Sequence, residues 1–218
     1  MRLEDYTADD ICRAMGLPGF VEQPWVQSED PNLRLVLTPS FHPELCITLA
    51  RSADGTWLSV VVLLKRLWAE RSLVCLPHES EATNLPSAAF EEVLALFTAA
   101  HASFDPERRY VCVDGMGSAS CLVSRTGTKL LDAHVSAHVA TGQFIGRLIE
   151  LAWNACCHPG VRNALAQAAL YLGGEYPIQE VAPQPAVTRL AVLGTPEEKS
   201  QYLAILQQRK KGGPDTTL

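Results

Sequence analysis

Residues 33 to 64 constrain the fold more than any other stretch of this chain. Leu33-Arg34-Leu35-Val36-Leu37 and Leu45-Cys46-Ile47-Thr48-Leu49 are rich in branched apolar residues, and each is bounded by breakers, the pattern of short strands. Between them stands Pro39-Ser40-Phe41-His42-Pro43. Two prolines fix two backbone angles and remove two amide donors, so this segment is a stiff corner between strands and not the middle of a ladder. Asp54-Gly55 suits a tight turn, because both residues tolerate positive φ. Trp57 to Leu64 then begins as alternation and becomes the continuous apolar run Val60 to Leu64, which predicts a central strand covered on both faces.

Helices follow from apolar spacing. Phe90, Val93, Leu94, Phe97 and Phe104 predict an amphipathic helix over Ser87 to Ser103, entered through Pro86-Ser87 and stopped by Asp105-Pro106. A second helix is predicted over about Gly142 to Cys157, apolar nearly all round and therefore buried. Pro159 starts a third, with Val161, Leu165, Ala168 and Leu172 on one stripe before Gly173-Gly174. Arg109 to Val113, Ala119 to Val123 and Lys129 to Val135 read as strands separated by Gly-containing turns. The order strands, helix, strands, helices predicts an α+β domain with a mostly antiparallel sheet over residues 1 to 175. Residues 176 to 195 read as a proline-rich surface connection and 196 to 211 as a C-terminal helix. Thr195, Pro196 and Glu198 mark its start, and residues 212 to 218 form a disordered tail.

The longest apolar run is far below the ~18 residues of a membrane-spanning helix. Acidic Glu4 and Asp5 stand where a signal peptide would be basic. Seven cysteines without regular spacing suit reduced, buried thiols, and together these features predict a cytoplasmic protein. The net charge of −6 is unevenly spread. Residues 1 to 30 hold seven acids against Arg2 and Arg13, and Ser72 to Glu107 holds Glu79, Glu81, Glu91, Glu92, Asp105 and Glu107 with no lysine or arginine. Phosphate recognition needs clustered cations, so direct nucleic-acid binding is excluded. Glu29, Asp30, Glu79, Glu81, Asp105 and Glu107 are the candidate contacts for a basic protein partner.

No cluster reaches a catalytic, metal or cofactor motif, and none is predicted. His134 and His138 stand four apart but fall on strand and loop, without the Glu of a zinc-hydrolase helix. Cys156-Cys157-His158-Pro159 reads as a helix end, with His158 complementing the dipole. Ser40 and His42 are too close in sequence to act as nucleophile and base, so Phe41 is expected as a core anchor and His42 as a residue holding the turn. Asp114-Gly115-Met116-Gly117 reads as a hairpin loop, since no helix follows to hold a phosphate. Glu91-Glu92, Asp9-Asp10 and Glu197-Glu198 read as charges complementing helix dipoles.

Taken in order, the Arg34-bearing strand, the Ser40-Phe41-His42 corner, the helix at Leu85 to Ala100 and the Val113-Asp114-Gly115 turn before Cys121-Leu122-Val123 resemble a small bacterial domain of strands around one helix. The resemblance covers roughly residues 33 to 155. Some proteins of this sort resemble immunity proteins encoded beside secreted toxins, such as the partners of type VI secretion nuclease effectors. What it implies is an immunity protein that binds a cognate toxin and occludes its active site. A small hydrolase using Ser40, His42, Asp114 or the His134 and His138 pair is the alternative, as is a homodimeric module built on Tyr202, Leu203 and Leu206.

Overall fold

A computed structural model describes residues 6–20, 31–52, 55–67, 75–105, 115–135 and 138–178. The expected strand 109–113, the proline-rich connection beyond residue 178, the C-terminal helix and the tail lie outside these residues. The described elements run α1 (Ala8–Ala14), β1 (Asn32–Pro39), β2 (Leu45–Ser52), β3 (Gly55–Leu63), β4 (His78–Leu85), α2 (Ser87–Ser103), β5 (Met116–Ser124), β6 (Gly127–His134), α3 (Val139–Ala155) and α4 (Pro159–Leu170). Six strands form one antiparallel sheet in the order β4-β3-β2-β1-β5-β6, so the fold is α+β.

Tight connections build the sheet. Gly55, at φ 138°, faces Ser52 in the β2–β3 register, and Gly127, at φ 118°, faces Ser124 across the Arg125-Thr126 turn. Only glycine adopts such angles without strain. After β4 the chain passes through α2 to the far side of β1, and β5 pairs with β1 from Asn32↔Val123 to Pro39↔Met116. β1 and β3 are buried on both faces for most of their length. Continuous apolar runs, unlike alternating ones, require a layer on each side.

The first layer is helical. Leu33, Leu35, Leu37, Ile47, Leu58 and Val60 point to a core completed by Phe90 and Phe97 of α2, Phe144 and Leu148 of α3, and Leu165 of α4. Phe97 and Phe144 meet edge to face at 5.5 Å. α2 spans the range its sequence predicts. α3 starts three residues earlier than predicted, because His138 caps it by accepting from the Thr141 amide. The sequence had suggested a helix buried all round, yet Val139, Gln143 and Asn154 are exposed. Gly, Ala and Trp are as apolar on a half-open side as in a core, so composition could not tell them apart.

The second layer is smaller and polar at its centre. α1 carries a capping box in which Asp10 N donates to Thr7 Oγ1 at 3.2 Å and Thr7 N donates to Asp10 Oδ2 at 2.9 Å. The Thr7 hydroxyl, donating to Asp10 Oδ2 at 2.7 Å, and then the Thr7 amide hold the Asp10 carboxyl below the usual carboxylate range. Ile11, Cys12 and Met15 cover Val36, Cys46, Val61, Cys121 and Val123. Arg34, fully buried, lies on this face of β1, and its Nη1 donates to Pro18 O at 2.9 Å and Gly19 O at 3.4 Å. One guanidinium thus holds the segment after α1 onto the sheet.

β4 is the strand absent from the sequence reading. His78-Glu79-Ser80-Glu81-Ala82-Thr83-Asn84-Leu85 has no apolar run, and its residues alternate exposed and half-buried. It is an edge strand, paired on one side by β3. Among the described residues no helix is long and apolar enough to cross a membrane.

Arg34→Met keeps most of the volume but breaks the bond to Pro18 O and strands the buried Gly19 carbonyl, and a buried acceptor without a donor costs about 1–3 kcal/mol. Urea unfolding of this variant is expected to show a stability loss of about 2–4 kcal/mol with the m-value unchanged. A loss below about 1 kcal/mol would mean that Arg34 fills space but does not hold the second layer.

Candidate functional site

The corner between β1 and β2 is the most heavily bonded irregular segment described. Pro39 ends β1, and Leu45 opens β2. Ser40 is clamped to Gly115: its amide donates to Gly115 O at 2.9 Å, its Oγ donates to the same oxygen at 2.8 Å, and Gly115 N donates to Oγ at 3.0 Å. Arg66 Nη1 donates to Ser40 O at 3.2 Å. The Phe41 amide donates to the Tyr171 hydroxyl at 3.1 Å, and His42 Nδ1 lies 3.1 Å from the same oxygen. That oxygen accepts from Phe41 and shares one further hydrogen bond with Nδ1, whose direction follows the imidazole tautomer. Burial, aided by Arg66, lowers the His42 pKa and favours the neutral ring. The His42 and Tyr171 rings also meet edge to face.

Beneath the corner, Glu44 is buried and accepts from the Leu67 amide at 2.9 Å. Burial pushes its carboxyl above the ordinary range. Three separate pieces of chain, the β5 entry, the segment after β3 and the residue after α4, therefore converge on Ser40, Phe41, His42 and Glu44. His42 holds the turn as its sequence context suggests. Phe41 does not enter the core: it is 59 % exposed. The bonds on either side of it aim residue 41 beyond the sheet end, and no pattern of apolar residues encodes that direction.

The described residues among those considered for hydrolysis are engaged within the fold. The Ser40 hydroxyl is committed to both backbone groups of Gly115, and His42 faces Tyr171. His138 Nδ1 lies 2.7 Å from Thr141 Oγ1 at the start of α3, while His134 ends β6 and has its pKa lowered by burial. Asp114 lies outside the described residues. Among the described residues no group of three or more Cys, His, Asp or Glu side chains could hold a metal ion.

The acidic candidates have varied roles. Glu81 accepts from Cys157 N at 2.9 Å and from His158 N at 2.8 Å, so its carboxylate caps the start of α4. Glu79 Oε2 lies 3.7 Å from His158 Nδ1. A β-carbon on Gly160 would collide with the Glu79 carboxylate, so the glycine leaves room for that carboxylate beside the start of α4. Both carboxylates complement the positive end of the α4 dipole. His158 is the N-cap of α4 and not a C-terminal residue complementing the α3 dipole, as its sequence position suggested, because the two helices meet within three residues. Cys156 is the C-cap of α3, its thiol pushed up to about 12 by burial.

Glu91 pairs with Arg51 at 2.6 Å, and Glu92 receives Arg147 Nε and Nη2, each at 2.9 Å. These are ion pairs between elements, where dipole complementarity alone had been expected. Asp105 is exposed just beyond α2, and Glu29, Asp30 and Glu107 lie outside the described residues. No protein family, curated protein or solved structure matches the chain.

Glu81→Lys places a cation against the α4 N-terminus and removes two backbone acceptor contacts. The expected loss is about 2–3 kcal/mol by urea unfolding, with Glu81→Gln losing about 1 kcal/mol. Equal midpoints for wild type and Glu81→Lys would show that the carboxylate does not hold α4.

Proposed function

We propose that this chain acts by binding another protein, and that the partner is a secreted bacterial toxin whose active site it occludes. The observation that carries the binding part is the presentation of Phe41. An exposed phenylalanine stands on a backbone held by Tyr171, Gly115 and Arg66. Interface energy concentrates in a few anchors, aromatic ones prominent among them, and an anchor already rigid in the free protein loses little entropy when it docks. Leu64, 52 % exposed, follows directly on β3, whose last pairs place it toward the same end of the sheet.

The toxin part is supported by the resemblance over residues 33 to 155 and by the net charge of −6, which suits a basic partner. Because Glu79 and Glu81 face α4, they contribute less to such a surface than their place in the acidic span suggests. Reversing Glu79 or Glu81 would test the fold before it tested binding.

Co-expression of the chain with the toxin encoded beside it is expected to abolish toxicity, and the two should co-purify. Phe41→Ala should weaken that complex about 10- to 100-fold, which is about 1.4–2.7 kcal/mol, while leaving the urea midpoint of the free chain unchanged. Failure to protect or co-purify would remove the toxin reading. Unchanged affinity of Phe41→Ala in a complex that does form would place the interface away from the corner.

A further inference from the structure

The two edges of the sheet are finished differently. β4 turns Glu79 and Glu81 toward the start of α4, so carboxylates and a helix attend that edge. β6, Gly127-Thr128-Lys129-Leu130-Leu131-Asp132-Ala133-His134, pairs among the described residues only with β5, in an unbroken register without proline or bulge. An edge of this kind is a template for another strand.

The turn before β6 decides which of its backbone groups face outward. Arg125 and Thr126 form a two-residue loop closed by the pair Ser124 and Gly127. The closing pair of such a hairpin is hydrogen-bonded, and bonded and non-bonded pairs alternate from there. Gly127, Lys129, Leu131 and Ala133 therefore bond to β5, while the N–H and C=O groups of Thr128, Leu130 and Asp132 point away from it. Side chains alternate as well. Leu131 and Ala133 enter the helical core, and Lys129 shares their face, lining a hollow with Leu94 and Leu122. Thr128, Leu130 and Asp132 share the opposite face, where Leu130 is 54 % exposed at the middle of the strand.

We propose that β6 pairs antiparallel with β6 of a second copy of this chain, about a two-fold axis at Leu130, and so continues the sheet through a homodimer. Self-complementarity selects this occupant. In the two-fold register Leu130 lies opposite Leu130 of the second copy, an apolar pair in place of two exposed leucines. Thr128 lies opposite Asp132 on both sides of the axis, so a hydroxyl donor meets a carboxylate acceptor twice. These are the same residues whose backbone groups point outward, and their pairing closes about six new backbone hydrogen bonds. The strand carries one cation, Lys129, and one anion, Asp132, so it offers no complement to a strongly basic or strongly acidic partner. The two-fold axis brings no like charges directly opposite.

Neighbouring registers fit less well. An axis one half-step away would oppose side chains from different faces, which the pleat forbids. An axis at Leu131 would set Leu130 against the Asp132 carboxylate and leave both leucines without an apolar partner. One strand pair makes a small interface, and the dissociation constant of the dimer is expected on the order of 1–100 μM. The corner that presents Phe41 joins β1 to β2 and contributes nothing to this edge, so the pairing is independent of the toxin reading.

The test sediments the full chain between about 1 and 500 μM, a range that brackets this affinity, as wild type, Leu130→Lys and Leu130→Glu. Wild type is expected to dimerise. Each variant should weaken the dimer at least about tenfold, because like charges then face each other across the axis, and an equimolar mixture of the two should recover it. Recovery reports this register, since Leu130 meets its own counterpart in no other. Hydrogen exchange of wild type adds a second readout: the amides of Thr128, Leu130 and Asp132 should be protected at high concentration and exposed at low, while those of Lys129 and Leu131 stay protected throughout. A wild-type chain that remains monomeric at the top of the range, a dimer indifferent to both variants, or a mixture that recovers nothing would overturn the proposal. So would free exchange of the three outward amides at high concentration, a result that decides the matter even if a variant fails to fold. Protection of those amides only when another protein co-purifies would assign the edge to that protein and overturn the homodimer.

Discussion

The fold depends on β1 being buried on both faces. Its even-numbered and odd-numbered side chains meet different layers: Leu33, Leu35 and Leu37 enter the helical core, while Arg34 and Val36 face the layer of α1. A strand in this position also needs ladder partners on both sides, and β2 and β5 supply them. The route of the chain follows. β1 to β4 are laid down consecutively, α2 carries the chain back over the face they expose, and β5 fills the remaining side of β1. A one-residue slip of β1 would drive Arg34 into the helical core, so the arginine guards the register as well as holding the second layer.

That second layer shows how a small apolar cover is held in place by polar groups. α1 and the segment after it bring only a few apolar side chains to the sheet. Arg34 bonds to Pro18 and Gly19, the Asp9 carboxylate accepts from Phe20 N at 2.5 Å, and Leu76 N donates to Ala14 O at 2.6 Å. Each bond places backbone that hydrophobic area alone would leave poorly fixed. Cys12, Cys46 and Cys121 fill the same layer as small hydrophobes.

Periodicity made the larger elements readable. β1, β2, β3 and α2 carry long apolar runs or stripes bounded by Pro, Ser and Gly, and the sequence places all of them, α2 to the residue. The turns at Gly55 and Gly127 were equally readable, because positive φ leaves glycine as its signature. β4 was not, since an edge strand needs only one ladder partner and one half-covered face, and Glu79, Glu81 and Thr83 provide most of that face, with Leu85 its one apolar residue. The corner was readable as a corner, through its prolines. Its outward Phe41 was not, because the partners that hold its backbone are remote: Gly115 lies 75 residues from Ser40, and Tyr171 lies 130 residues from Phe41.

The two carboxylates of β4 bear on function as well as on fold. In the sequence, Glu79 and Glu81 belong to an acidic span that looks like a partner surface. In three dimensions they lie on the side of an edge strand turned toward α4, where they neutralise the helix terminus and the two amides that open it. Charge counted along a chain therefore overstates charge offered to solvent, since a carboxylate bonded to a helix start projects a smaller field than a solvated one. Phe41 shows the reverse error, an apolar residue counted toward the core that stands outside it. Both corrections move the proposed partner surface the same way, from the middle of the acidic span toward the sheet end, where the exposed Phe41 stands on a hydrogen-bonded backbone.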